Sequence, residues 1–173
     1  MKLRFTALTI LGISYFGANS AIAAQEPVVV NFTGSVVAST CALSLQGDSA
    51  GQINLGQVRK NAEGDTVKFS FKGDSECDVS EATKAVFRVR ADSMKETGIG
   101  SSSPGTGTAS DSVLLLRGIA AENNNVVSLL NNTVNFSNLE NITTKGLEFS
   151  AQLRAGAIAG SFSANVTFDV SYL

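Results

Sequence analysis

The sequence predicts an all-β domain, a sandwich or a barrel, and three observations predict it. Short runs of apolar residues alternate with polar ones along almost the whole chain. Glycine- and asparagine-rich turns separate those runs. No long stretch has the 3.6-residue apolar period of an amphipathic helix, and no internal repeat is present. Regular short strands with turn punctuation point to this class.

The first residues stand apart from the fold. Lys2 and Arg4 make a positive start, Ala7 to Phe16 is mostly apolar, and Ala21-Ile22-Ala23 has the small-x-small pattern of a cleavage site. Residues 1–23 read as a signal peptide, too short and interrupted to span a bilayer. The mature chain then starts at Ala24, and 23 residues removed from 173 leave 150, enough for one domain with a real core.

The elements follow in order. Val28 to Val36 places Val28, Val30, Phe32, Gly34 and Val36 on one face, with Asn31, Thr33 and Ser35 opposite. A strand at the start of the mature chain can pair with its own domain or reach out to another. Ile53 to Val58 is a short apolar run containing Gly56. Thr66 to Lys72 sets Val67, Phe69 and Phe71 on one face, and Lys84 to Asp92 sets Ala85, Phe87, Val89 and Ala91 against Arg88 and Arg90. Ser112 to Arg117 is a continuous apolar run suited to a buried strand. Val126–Leu130 and Thr133–Phe136 are short candidates flanked by asparagines. Leu147, Phe149, Ala151 and Leu153 alternate with polar residues, as do Phe162, Ala164, Val166, Phe168, Val170 and Tyr172. Val79–Lys84 and Ser93–Thr97 each invite one helical turn. The Gly/Ser/Thr-rich stretch between Met94 and Asp111 reads as a mobile surface loop, with a binding loop as the alternative.

Cys41 and Cys77 both fall in the mature chain. An even pair in an exported domain suggests a disulfide, with a metal site or a free thiol as alternatives. Two thiols make a poor zinc site in a chain with no histidine. A bridge closing this loop contributes roughly 4 kcal/mol by the chain-entropy model.

Charge and residue types exclude several functions. Without Lys2 and Arg4, 11 of the 13 basic residues face 15 acidic ones, a formal charge of −4. That opposes nucleic-acid binding, which needs a clustered basic surface. The chain lacks histidine, a GxSxG elbow and a P-loop, so it reads as no enzyme and calls for no cofactor or metal. Gly98-Ile99-Gly100 lacks the third glycine of a dinucleotide site and reads as loop. Glu76, Asp78, Glu140 and Glu148 are scattered in sequence, as solvating groups are. Four Asn-x-Thr triplets, at Asn31, Asn131, Asn141 and Asn165, match the glycosylation pattern by composition alone.

Taken together, the chain resembles the pilins of the chaperone–usher pathway, similar to type 1 fimbrial subunits of Gram-negative bacteria. The carrying features are the signal peptide, the extension with Phe32-x-Gly34-x-Val36, Cys41, Ile53-Asn54-Leu55-Gly56-Gln57-Val58, Cys77 after the Val67–Phe71 strand, and Gly160-Ser161-Phe162 through Val166-Thr167-Phe168-Asp169-Val170-Ser171-Tyr172. The resemblance implies an incomplete immunoglobulin-like β-sandwich that lacks its last strand. It implies a donor-strand extension at 24–37 and a pilin domain at 38–173, with Cys41 and Cys77 in a disulfide. Val28, Val30, Phe32, Gly34 and Val36 would fill a neighbour's groove by β-augmentation. Val166, Phe168, Val170, Tyr172 and Leu173 would line the groove or meet the chaperone, although for Phe168 and Tyr172 plain core packing is the simpler reading. The expected partners are other fimbrial subunits, a periplasmic chaperone and an outer-membrane usher, with no nucleic acid and no membrane span. The expected destination is a cell-surface fimbrium contributing to adhesion. The competing reading is a self-contained secreted Ig-like binding module with Val28–Val36 as its own strand, and a small secreted enzyme is a weaker third.

Overall fold

A computed structural model describes residues 28–36, 41–47, 51–102, 105 and 107–173. The expected signal peptide and the boundary between extension and domain lie outside the described residues. Eleven strands form two sheets. They are β1 (Val28–Val36), β2 (Leu43–Gln46), β3 (Gln52–Gly56), β4 (Val67–Gly73), β5 (Ala85–Ala91), β6 (Met94–Lys95), β7 (Gly98–Ile99), β8 (Val113–Gly118), β9 (Thr133–Phe136), β10 (Leu147–Arg154) and β11 (Val166–Tyr172). One sheet has the order β3-β1-β11-β5-β9, the other β2-β4-β10-β8-β7-β6. Every pairing is antiparallel except that of β1 with β11, which is parallel.

Period-two alternation sets the core. In β10, Leu147, Phe149, Ala151 and Leu153 are buried, while Glu148 and Arg154 are exposed. β11 buries Val166, Phe168 and Val170. β8, with a continuous apolar run, is buried from Val113 to Leu116. The inner faces meet in a cluster of aromatic rings. Phe149 is fully buried, and its ring centroid lies 5.1–5.6 Å from those of Phe69, Phe71, Phe87, Phe136 and Phe168. Most of these contacts are edge-on or tilted, as ring quadrupoles favour, whereas Phe69 stacks on Phe149.

Cys41 and Cys77 are joined in a disulfide, which removes the metal-site and free-thiol alternatives. The bridge ties the approach to β2 to the segment after β4. Gly73 closes β4 directly beneath it: a Cβ there would stand 2.6 Å from Cys77 Sγ, so only glycine fits without displacement.

Several sequence expectations are corrected. Val126–Leu130 forms no strand, because Ser128 and Asn131 exchange backbone hydrogen bonds and turn the chain there. Val127 alone reaches the core, while Leu129 and Leu130 are exposed. Val79–Lys84 is not helical, and holds one turn closed by Ala82 N–H donating to Val79 O. Ser93–Thr97 opens a small hairpin of β6 and β7 instead of a helical turn. Gly98-Ile99-Gly100 is accordingly part strand, with Ile99 buried and paired with Leu114. Gly98 has φ +150°, and a Cβ there would meet Leu114 O at 2.6 Å. The supposed surface loop up to Asp111 also buries Ser101 and Ala109. Phe162 and Ala164 are buried as expected, but regular pairing begins only at Val166. β2 was not anticipated, although Leu43 and Leu45 carry its alternation.

The ring cluster gives a direct test. Phe149→Ala should destabilise the domain by about 3–5 kcal/mol in denaturant unfolding, because it removes the ring that touches both sheets. A loss below about 1 kcal/mol would mean that the sheets do not meet there.

Candidate subunit interface

β11 and β3 belong to one sheet but do not touch each other in the ladder. β1 lies between them, and among the described residues β3 has no other strand partner. Strands sit about 4.8 Å apart, so without β1 a gap of roughly 10 Å would separate two open edges. The register across this slot is specific. Phe32, Gly34 and Val36 pair with Val166, Phe168 and Val170 of β11, and Val30 pairs with Ile53 of β3. All four partners are buried. Residues opposite each other in a ladder share a face, so the even-numbered set lies in register with the core face. Asn31, Thr33 and Ser35 pair with Gln52, Thr167 and Asp169, which are not buried. Gly34, without a side chain, stands opposite Phe168, the largest buried residue of β11.

The alternation fails at one end. The register shifts between Val28 and Val29, so that Val28 pairs with Gly56 and Val29 with Asn54, leaving Leu55 without a ladder partner. A bulge of this kind bends a strand and ends its regular pairing. Gly56 has φ +68°, and its N–H donates to Asn54 Oδ1 at 2.8 Å. The sequence reading of five equivalent apolar positions therefore reduces to four in register.

The sequence reading favoured a neighbouring subunit as the acceptor of Val28–Val36. In the structure this strand occupies the slot of its own chain, parallel to β11. Val166, Phe168 and Val170 are buried on β11 at one side of β1, and Ile53 and Leu55 are buried on β3 at the other.

No family model matches the chain. The F107 fimbrial protein of Escherichia coli is 31% identical over 160 residues, covering 90% of this chain and 91% of the relative. The chain belongs to the fimbrial proteins.

In this fimbrial subunit the last strand ends on its own sheet. Tyr172 pairs with Ala85. Leu173 N–H donates to Lys84 O at 2.9 Å, and Leu173 O accepts from Thr83 N–H at 2.7 Å, Lys84 N–H at 3.1 Å and Thr83 Oγ1 at 3.1 Å. Three donors thus hold one main-chain oxygen of Leu173, while its side chain stays exposed. On the outer face Arg90 and Asp169 form an ion pair.

Of the acidic residues singled out in the sequence, Asp78 and Glu140 both line the cleft between the segments after β4 and β9. Asp78 accepts from Ser80 N–H at 2.9 Å, and its hydrogen bonds to Ser80 hold its carboxyl below the usual range. Among the described residues no group of three or more His, Cys, Asp or Glu could hold a metal ion. No described helix is long and apolar enough to cross a membrane. Asp111, overlooked in the sequence, accepts from Ala157 N–H at 2.6 Å and Ile158 N–H at 3.2 Å and fixes the connection from β10 to β11. Nothing but an acidic residue ahead of an apolar run marked it.

Tyr172 provides a pH test. Burial raises its phenol from 10.0 to about 12, and its hydroxyl is buried without a hydrogen-bond partner among the described residues. The folded state therefore keeps the proton that the unfolded state loses near pH 10. The contribution of Tyr172 to stability should be constant below pH 10 and fall as the pH rises from 10 towards 12. The other tyrosine, Tyr15, lies in the expected signal peptide. Phenolate absorbance of the processed protein should then show one transition near pH 12 when folded, moving to about 10 in denaturant. Tyr172→Phe should abolish the slope at no cost in stability, since it removes an unpaired buried hydroxyl.

Proposed function

We propose that this fimbrial subunit polymerises head to tail by donor-strand exchange, with Val28–Val36 as the donor and the slot between β3 and β11 as the acceptor. The observation that carries this reading is that, among the described residues, β3 has no strand partner except β1. A domain that gives up β1 loses both ladders at once and bares Ile53, Leu55, Val166, Phe168 and Val170. Such an open, apolar edge aggregates unless another strand covers it. A periplasmic chaperone would lend that strand first, and the next subunit's extension would replace it at an outer-membrane usher. The incomplete domain is of the immunoglobulin-like kind. The product is a surface fimbrium, which supports adhesion as an assembled organelle and needs no catalytic group or cofactor.

Geometry sets the direction of exchange. Because β1 runs parallel to β11, Val36 lies at the end of the sandwich where β11 finishes, close to Cys41. From Val36 to Cys41 the chain reaches at most about 17 Å. If a neighbour's strand entered in this same direction, its disulfide end would crowd the receiver's disulfide end, and successive subunits would collide around one point. Reversed insertion places the donor's disulfide end against the opposite end of the receiver, and the contact repeats as an open filament. The reversed strand would be antiparallel to β11 and parallel to β3, so one ladder of each kind remains. Burial of Val30, Phe32 and Val36 then contributes roughly 1.5–3 kcal/mol each before ordering costs.

One observation favours a second reading. β1 closes its own sheet here, as it would in a self-contained secreted Ig-like module. A chain lacking residues 24–36 separates the two. Donor-strand exchange predicts a domain that binds a synthetic peptide of residues 24–36 one to one and adds to no filament as a donor. With the reversed strand centred on the same pair, Gly34 again faces Phe168, and Gly34→Phe in that peptide should weaken binding at least about tenfold through overpacking. A truncated chain that neither binds the peptide nor folds with it supports the self-contained module.

A further inference from the structure

The end of the sandwich where β11 starts carries an exposed apolar tip. Leu129 and Leu130 sit in the turn before β9, 60% and 79% exposed, and Leu129 N–H is tied to Lys95 O of β6. Ile158, 49% exposed, lies at the same end, held by Asp111 just ahead of β8. Large apolar side chains exposed in adjacent positions mark a surface that another molecule covers more often than water does. Nothing within the chain needs them there, because Val127 already supplies the buried contact of that turn.

The opposite end, beside the disulfide, carries a cleft of about 610 Å³. It lies between the segment after β4 and the segment after β9, and Val79, Ala82, Leu139 and Ile142 supply its apolar lining. Leu139 and Ile142 are buried, so the cleft opens onto the edge of the core. Ser137 and Asn138 stand exposed on its rim.

We infer that in the filament the Leu129–Leu130 tip of each subunit seats in the disulfide-end cleft of the next copy, forming a second contact beside the donor strand. The inference rests on the donor-strand reading, and what singles out a second copy as the occupant is the tether. Only residues 37–40 separate the donor strand from Cys41. That segment keeps the donor's disulfide end within about 17 Å of the point where its strand leaves the receiver. With reversed insertion, that point is the end bearing Leu129 and Leu130. The surfaces the tether presses together are thus an apolar protrusion and a cleft with an apolar lining. The contact joins different surfaces of identical subunits, so it repeats along the filament with the donor strand instead of closing a dimer.

The test is a cysteine pair in filaments sheared from cells. Leu130→Cys combined with Ser137→Cys places one thiol on each surface, both at exposed positions. After mild oxidation, boiling and a non-reducing denaturing gel, the double variant should give a ladder of covalent multimers. Each single variant should give monomer or at most dimer. Monomer alone from intact double-variant filaments overturns the contact and leaves donor-strand exchange standing. Failure of the wild-type chain to form filaments overturns both. As a second measurement, Leu129→Ser with Leu130→Ser should leave monomer unfolding unchanged and lower the temperature at which filaments dissociate. An unchanged dissociation temperature overturns the contact.

Discussion

β3 and β11 stand one strand apart, and the strand that fills the space between them comes from the far end of the chain. Backbone groups on both edges and the core face beneath them depend on that one insertion. Buried N–H and C=O groups left unpaired are costly, and so is apolar surface returned to water. The slot therefore has to be filled, but nothing in the ladder requires that it be filled by the same molecule. Register makes it selective instead: a residue one position out of step would turn the apolar set away from the core. Gly34 opposite Phe168 adds a steric mark to that selection.

The rest of the domain is built to hold the slot's walls rigid. Phe168 belongs both to the edge beside β1 and to the ring cluster around Phe149, so that edge is continuous with the core. β11 is braced on its other side by seven register pairs with β5. The disulfide anchors Cys41, the first described residue after β1, to the loop after β4. Under the proposed exchange, a strand pulled towards another subunit would draw on a fixed point of its own domain.

Sequence reached much of this because strands write themselves in a two-residue period. β4, β5, β8, β9 and β10 follow their apolar runs within a residue or two, and the buried set of β11 is the alternating set of the sequence. The candidate wall was legible for the same reason. Elements governed by tertiary contacts were not. Val126–Leu130 has the composition of a strand, yet a local turn at Ser128 and Asn131 overrides it and leaves two leucines outside. β6 and β7 are too short to show a period and exist because Ile99 packs into the core. The role of β3 as the second wall could not be read from its own residues, since it follows from which strand lies beside it. Periodicity reports the face of a strand, not the identity of its neighbour, and for that reason the alternation of Val28–Val36 did not by itself name the chain it pairs with.

The most direct measurement is amide hydrogen exchange on a chain lacking residues 24–36, with and without the free peptide of those residues. If the slot depends on a supplied strand, amides of Gln52–Gly56 and the outward amides of Val166–Val170 exchange fast without the peptide and become protected when it binds. Amides of Leu147–Arg154, in the other sheet, stay protected throughout. Equal protection of Gln52–Gly56 with and without the peptide would mean that β3 finds another partner, and the claim that one inserted strand completes this domain would fail.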